Sequence, residues 1–171
     1  MNKNDLRFQK TELAIRNAYV SLKKRGKTSV KVVDLCEAAM INKTTFYTHY
    51  ETIEHLHRTI CNEFVSEVLE TSHGLEIFKS DLKSAMYAIL EQFTRRMSYI
   101  KMLYGENLYE FVNDFERLFI KAVLENNESE NFELALRFCI GGAFRLLLTE
   151  TDPVRLEKIF TLTESILMEA T

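Results

Sequence analysis

The chain has 171 residues, of which 46% are hydrophobic and 27% charged. This composition supplies enough apolar surface for a buried core and excludes an intrinsically disordered chain. One proline, five glycines and apolar runs without the bounded alternation of strands predict an all-α protein. No apolar run approaches the roughly 18 residues needed to span a bilayer, and no signal-peptide core begins the chain. We therefore expect a cytoplasmic protein with no membrane partner.

The formal net charge of −3 conceals an uneven distribution along the chain. Residues 1–60 contain 11 Lys/Arg and 6 Asp/Glu, a net +5, and the remainder contains 11 and 19, a net −8. A basic N-terminal third on an acidic body is typical of a region that binds a polyanion, joined to one that keeps the protein soluble. Three widely spaced cysteines without a CxxC motif predict buried reduced thiols rather than disulfides.

The first predicted helix begins near Arg7, and Gly26 ends it after a basic run that suits a helix C-terminus. A second, shorter helix covers about residues 31–38. The tight apolar turn Ala39-Met40-Ile41 follows, and Asn42 is predicted to cap a third helix.

The third helix combines an aromatic inner face with a polar outer face. Phe46 and Tyr50 are four residues apart and therefore lie on one side. A helix braced in this way suits the major groove of DNA, as in a helix-turn-helix; an ordinary solvated surface is the alternative. The residues predicted to contact base edges or phosphates are Lys43, Thr44, Thr45, Tyr47, Thr48 and His49, joined by Thr28, Ser29 and Lys31 near the start of the second helix.

Thr52 is predicted to cap a fourth helix that continues to about Thr71 and connects the N-terminal region to the rest of the chain. Gly74 interrupts the chain, and Asp152-Pro153 starts the last helix, which ends near Met168. We predict a helix-turn-helix DNA-binding domain over 1–55 and a helical regulatory and dimerisation domain over 56–171. The three long helices predicted in between cover about 79–99, 108–125 and 132–149.

The segment from Leu35 to Leu56, LCEAAMINKTTFYTHYETIEHL, resembles the helix-turn-helix of the TetR family of bacterial transcriptional regulators. The spacing of Thr45-Phe46-Tyr47, His49-Tyr50 and Glu54-His55-Leu56 carries the resemblance. It covers the first 60 residues; the later helices are similar in number, length and order. The resemblance implies a three-helix head whose third helix reads the major groove, with DNA contacts at positions 43–45 and 47–49.

Three positions depart from the pattern of that family. Met40 stands where a turn glycine is usual, and Lys31 replaces a hydroxyl near the start of the second helix. Ile53 replaces a lysine at the start of the fourth helix, and Thr52 or the amides there could take over its phosphate contact.

Gly141-Gly142 lies inside an apolar helix, where each glycine costs roughly 1 kcal/mol against alanine. A close helix approach would offset that cost, so we predict a homodimer through a four-helix interface, two helices from each subunit. Phe138 to Thr149 is also similar to a dimer-forming helix of the TetR family; an internal core helix is the alternative. A two-fold dimer would require a palindromic operator. The predicted interface residues are Phe138, Gly141, Gly142, Phe144, Arg145 and Leu148.

The resemblance also implies an inducer pocket in the C-terminal region. Aromatic and methionine side chains at helical spacing equally describe a plain core, and the body is short for a large ligand. A regulator that responds to a partner protein, or to no effector, stays an alternative. The predicted pocket residues are Tyr87, Phe93, Met97, Met102, Tyr104, Phe111 and Phe115.

The sequence contains no glycine-rich phosphate loop, GxSxG or HExxH motif, and His55 and His57 point to different helix faces. We therefore expect no enzymatic activity, no cofactor and no metal site. The predicted function is a dimeric TetR-like repressor that binds double-stranded DNA and is released or switched by an effector. The rival hypothesis is a helical adaptor whose N-terminal region binds protein.

Overall fold

A computed structural model describes residues 5–78, 80–106, 108–124, 129–147, 149–150 and 152–170. All regular secondary structure in these ranges is helical, which confirms the all-α prediction. Within them, no helix combines the length and the apolar character that crossing a bilayer requires. The chain forms two compact units, the first ending at Cys61 and the second beginning at Asn62, so the division falls inside the fourth helix.

The N-terminal unit contains α1, α2, α3 and the start of α4. Their predicted starts and ends agree with the structure to within about two residues, because caps and apolar periodicity are local signals. Buried side chains from all four helices form its core: Ile15, Ala18, Tyr19, Leu22, Leu35, Phe46, Tyr50 and Leu56. The helices are α1 (Leu6–Lys24), α2 (Val32–Ala39), α3 (Lys43–His49) and α4 (Ile53–Ser72).

The turn between α2 and α3 requires a left-handed backbone at Met40. This residue has φ 54° and ψ 43°, and 93% of it is exposed. The backbone N–H of Met40 donates to the Glu37 carbonyl, and that of Ile41 donates to the Cys36 carbonyl, which closes the end of α2. The turn therefore keeps the geometry that favours glycine, although a methionine occupies it.

We predict that Met40→Gly stabilises the N-terminal unit by up to about 1 kcal/mol. A left-handed conformation costs an L-residue roughly 1–2 kcal/mol, and the greater freedom of glycine in the unfolded chain cancels part of the gain. Urea denaturation followed by helicity measures the change. Met40→Ala is the control, because it also removes the long side chain but keeps the Cβ atom; equal stabilities for the two variants would contradict the prediction.

Within the described residues, the C-terminal unit contains the rest of α4, seven further α-helices and one π-helical turn. The prediction of one long helix over 79–99 is wrong, because the chain forms two helices there, α6 (Leu82–Arg95) and α7 (Met97–Tyr104). The backbone leaves helical geometry at Arg96, where φ is −109°. The helix predicted over 132–149 contains a π-helical turn at Ile140–Phe144, which coincides with the glycine pair. The ends predicted at residues 79 and 125 lie outside the described residues. The helices are α5 (Gly74–Ile77), α6 (Leu82–Arg95), α7 (Met97–Tyr104), α8 (Tyr109–Val123), α9 (Glu130–Cys139), α10 (Arg145–Leu147) and α11 (Pro153–Glu169).

Four phenylalanines form the centre of the C-terminal core. Phe93 contacts Phe111 and Phe115 edge to face, with ring centroids 4.9 and 5.2 Å apart. Phe144 stacks on Phe115 at 4.3 Å with an interplanar angle of 11°. All four side chains are at most 7% exposed. These ring contacts tie α6, α8 and the π-helical turn together.

Candidate nucleic-acid interface

The side chain of Asn42 starts α3, as predicted. Its Oδ1 accepts hydrogen bonds from the Thr45 backbone N–H at 2.7 Å and from the Thr45 hydroxyl at 3.0 Å. The helix has only seven residues, which is too short for stability in isolation. Contacts with other helices must therefore hold it in place.

The inner face of α3 is held by Phe46 and by the C-cap residue Tyr50, both predicted to be core residues and both buried. The Arg16 Nε donates to the Tyr50 hydroxyl at 2.9 Å, and that hydroxyl donates to Glu12 Oε1 at 3.1 Å. Arg16 also contacts Glu12 Oε1 at 2.6 Å. Burial acts to raise the pKa of Glu12, but the hydrogen bonds from Arg16 and Tyr50 outweigh it and lower the pKa. The network therefore keeps Glu12 ionised and connects α1 to the end of α3.

His49 lies on the inner side of α3, not on the polar face where we predicted a DNA contact. Only 2% of its side chain is exposed, and its ring stacks on Phe8 of α1 at 3.9 Å. The reason is helical geometry, because His49 follows Phe46 by three residues and shares its face. Its Nδ1 is buried 3.9 Å from Glu12 Oε2, and within the described ranges it makes no hydrogen bond. His49 is therefore a packing residue in this conformation.

We predict that the N-terminal unit loses stability as the pH falls from 7.5 to 5.5. Burial lowers the pKa of His49 below its ordinary 6.5, although Glu12 acts in the opposite direction. Below about pH 6.5 the unfolded chain therefore binds more protons than the native state, which favours unfolding. The lowered pKa of Glu12 changes the stability only below about pH 4.5, which lies outside this interval. Urea denaturation at both pH values measures the loss.

The matched control is His49→Gln, which keeps a polar side chain that does not titrate. We expect a smaller loss of stability in this variant than in the parent over the same pH interval. An equal loss in both would show that His49 is not the group responsible.

The outer face of α3 presents Lys43, Thr44 and Tyr47 to solvent, and 56% of Tyr47 is exposed. Thr48 is exposed too, but its hydroxyl donates to the Thr45 carbonyl at 2.6 Å, so it offers only its oxygen lone pairs. Thr45 is half-buried, and its hydroxyl is engaged by the Asn42 cap. The donors that remain on this face come from the ammonium of Lys43 and the hydroxyls of Thr44 and Tyr47.

Thr28, Ser29 and Lys31 are exposed in the segment between α1 and α2. Lys31 occupies the N-cap position of α2, and no side chain bonds to the free amides of that helix start. Nearby, Lys27 Nζ contacts Asp34 Oδ2 at 2.7 Å. A cation beside uncapped amides can attract an anion, but the Asp34 carboxylate in the first turn partly opposes it.

Thr52 caps α4, as predicted, because its hydroxyl oxygen accepts from the His55 backbone N–H at 3.0 Å. The pKa of Glu54 is lowered by a bond from its own backbone N–H and by one from the Thr52 hydroxyl. A phosphate at the position predicted for Thr52 would be opposed by the Glu54 carboxylate in the first turn of α4.

The residues predicted for the dimer interface divide between surface and core. Phe138 is 70% exposed, and Gly141, Gly142 and Arg145 are exposed too. Phe144 instead belongs to the core, because the π-helical turn directs its ring onto Phe115. A Cβ atom built on either glycine would meet no atom of the described residues within 4 Å, so packing against them does not explain the glycine pair. Leu148 lies outside the described residues.

The residues predicted to line an inducer pocket mostly make core and surface contacts. Tyr87 is 43% exposed and donates to Glu157 Oε2 at 2.9 Å, and Tyr104 donates to Asp114 Oδ2 at 3.1 Å. The C-terminal unit has an apolar cavity of about 50 Å³, which Phe115 lines, and typical ligand pockets measure about 300–1,000 Å³. Phe93 and Phe111 are fully buried in the aromatic core, and Met97 and Met102 are half-buried.

The sequence reasoning missed the contribution of α1 to this surface. Arg7, Phe8 and Thr11 face α3 across a groove, and Glu12 and Arg16 form the polar network described above. The spacing of Glu12 and Arg16 is the usual i,i+4 arrangement of a helical ion pair, and it is the one sequence signal that marks this face of α1.

Compared with models of known protein families and with curated protein sequences, the chain matches none.

Proposed function

We propose that the protein is a DNA-binding transcriptional regulator of the TetR type, a repressor that binds a palindromic operator as a homodimer. The observation that supports this proposal is the way α3 is held and what its outer face presents. A seven-residue helix is fixed to α1 by a partly buried polar network, and its opposite face presents Lys43, Thr44 and Tyr47 with no side-chain hydrogen bonds among the described residues. A rigid helix with free donors has the properties that reading a major groove requires.

Charge supports the same proposal. The excess of basic residues over 1–60 gives this part of the chain a net +5, while the rest carries −8. Exposed cations near α3 would attract the phosphate backbone of DNA, and added salt would weaken this attraction. The proposal contains no catalytic step, cofactor or metal.

Dimerisation is supported by an exposed apolar stripe on α9 and α10. Leu134, Phe138 and Leu146 are 59%, 70% and 55% exposed, and they recur at intervals that keep them near one side. On α11, Leu162 and Met168 are 64% and 72% exposed. Two exposed apolar helices per subunit would form a four-helix interface, and the open glycine pair would permit close approach.

The release mechanism and the class of partner each have an alternative. Because the apolar cavity of about 50 Å³ is small, an effector would have to enlarge it or bind elsewhere, and control by a partner protein, or by no effector, is the alternative. A protein-binding adaptor is favoured by Val33 and Met40, which are 45% and 93% exposed in the N-terminal unit. Binding to DNA that falls steeply with salt would support the regulator over the adaptor.

We predict that Lys43→Ala and Tyr47→Ala each weaken operator binding about tenfold or more, since each removes a contact to base or phosphate. The operator is first selected from a random pool of duplexes, and affinity is then measured at two salt concentrations. Lys121→Ala is the control, because Lys121 is an exposed lysine in the C-terminal unit. Circular dichroism checks helicity, since Tyr47 packs edge-on against Phe46. If both variants bind as tightly as the parent, α3 is not the reading helix.

We predict that Gly142→Leu lowers the molar mass in solution from dimer to monomer. The new side chain meets no atom of its own chain within 4 Å of its Cβ, so the subunit should keep its fold while the interface is blocked. Light scattering measures the mass, and thermal unfolding reports on the fold. Lys121→Leu adds an exposed leucine on α8 and should leave the mass unchanged. A Gly142→Leu protein that stays dimeric would place the interface elsewhere.

A further inference from the structure

A groove of about 400 Å³ separates the first turns of α1 from the edge of α3. Arg7, Phe8 and Thr11 line it from α1, and Thr44 and Thr48 line it from α3. Thr44 and Thr48 also belong to the outer face of α3. The groove is therefore continuous with the surface assigned above to DNA.

The wall of this groove is held rigidly. His49 lines it, and its ring stacks on Phe8 with centroids 3.9 Å apart and an interplanar angle of 25°. The Nδ1 of His49 is buried and faces Glu12 Oε2 at 3.9 Å. The stacked ring therefore forms a fixed surface between the two helices.

The polar groups around the groove favour an anion with several acceptor oxygens. Arg7 supplies a guanidinium with five donors, and the Thr44 hydroxyl makes no side-chain hydrogen bond among the described residues. The Thr11 hydroxyl donates to the Arg7 carbonyl at 2.9 Å and so offers only lone pairs. Asp5 is the one opposing charge in the lining, and its Oδ1 accepts from the Arg7 backbone N–H at 2.9 Å as the cap of α1.

The dimensions of DNA indicate which anion would lie there. A helix with its side chains is about 10–12 Å across and fills a major groove about 12 Å wide, so the two phosphate strands that border the groove pass along its flanks. The first turns of α1 lie beside α3, on the side that carries Thr48 and His49. A strand bordering the groove that α3 enters would thus come within reach of Arg7.

We propose that this groove clamps one strand of the DNA backbone, with the Arg7 guanidinium and the Thr44 hydroxyl bound to a phosphate oxygen. This assignment rests on the proposed function and adds α1 to the DNA-binding surface. In this arrangement Arg7 contacts the DNA backbone and reads no base. The contact fixes how far α3 enters the major groove and weakens with salt like other phosphate contacts.

The test compares Arg7→Gln with Lys24→Gln on the operator selected for the parent protein. Both variants remove one exposed cation from α1 and keep a long polar side chain, but Lys24 lies at the other end of the helix. We expect Arg7→Gln to weaken binding about tenfold on operator and on unrelated duplexes alike. The slope of log K against log salt should become shallower by about 0.9 per subunit. Lys24→Gln should change the affinity by less than about twofold and leave the slope unchanged.

Two further measurements locate the contact. Ethylation of individual phosphates should block the parent at one position per half-site that no longer matters in Arg7→Gln. Asp5→Asn removes the opposing charge, and asparagine is an equally good N-cap, so this variant should bind more tightly than the parent.

The outcomes separate this assignment from the proposed function. If Lys43→Ala and Tyr47→Ala weaken binding while Arg7→Gln does not, the groove is not a phosphate clamp although α3 reads DNA. If Arg7→Gln and Lys24→Gln weaken binding equally, the effect is general charge and the clamp is overturned. If the parent binds no duplex from the pool, the proposed function itself fails.

Discussion

The carboxylate of Glu12 is the point at which α1 holds the end of α3. It accepts from Arg16 and Tyr50 and faces the buried ring of His49, and all of these groups are at least partly removed from water. A helix of seven residues cannot persist by its own backbone bonds, so its orientation depends on this network and on the anchored ring of Phe46. A partly buried network of this kind favours one geometry, because hydrogen bonds are stronger away from water.

That constraint divides α3 into two sides with different tasks. The side with Phe46, His49 and Tyr50 is buried against α1, and the side with Lys43 and Tyr47 is free. Since the inner side is fully occupied, the outer side can bind a partner without competing for the contacts that keep the helix folded. The groove beside Arg7 is a consequence of the same arrangement, because Phe8 and His49 stack across the two helices and form its wall.

The C-terminal unit shows a comparable division along α9, the π-helical turn and α10. Phe144 turns inward and completes the aromatic core with Phe93 and Phe115, whereas Phe138 is left 70% exposed. Phe144 follows Phe138 by six residues, roughly 1.7 turns of an α-helix, so the two side chains lie on different sides of the helix. An apolar stripe that remains outside after the core is complete is what a dimer interface needs.

The sequence by itself determined the all-α class, the bounds of α1 to α4, the Asn42 and Thr52 caps, and the burial of Phe46 and Tyr50. Each of these depends on residues within about four positions of one another. Only the tertiary structure decided that His49 packs on Phe8, that Met40 is left-handed, that a long helix breaks at Arg96, and that Phe144 is core. The burial of His49 and Phe144 depends on which distant helix lies alongside, whereas Met40 and Arg96 adopt local backbone conformations that apolar periodicity does not encode. The groove lined by Arg7 arises in the same way, because it exists only where α1 and α3 lie side by side.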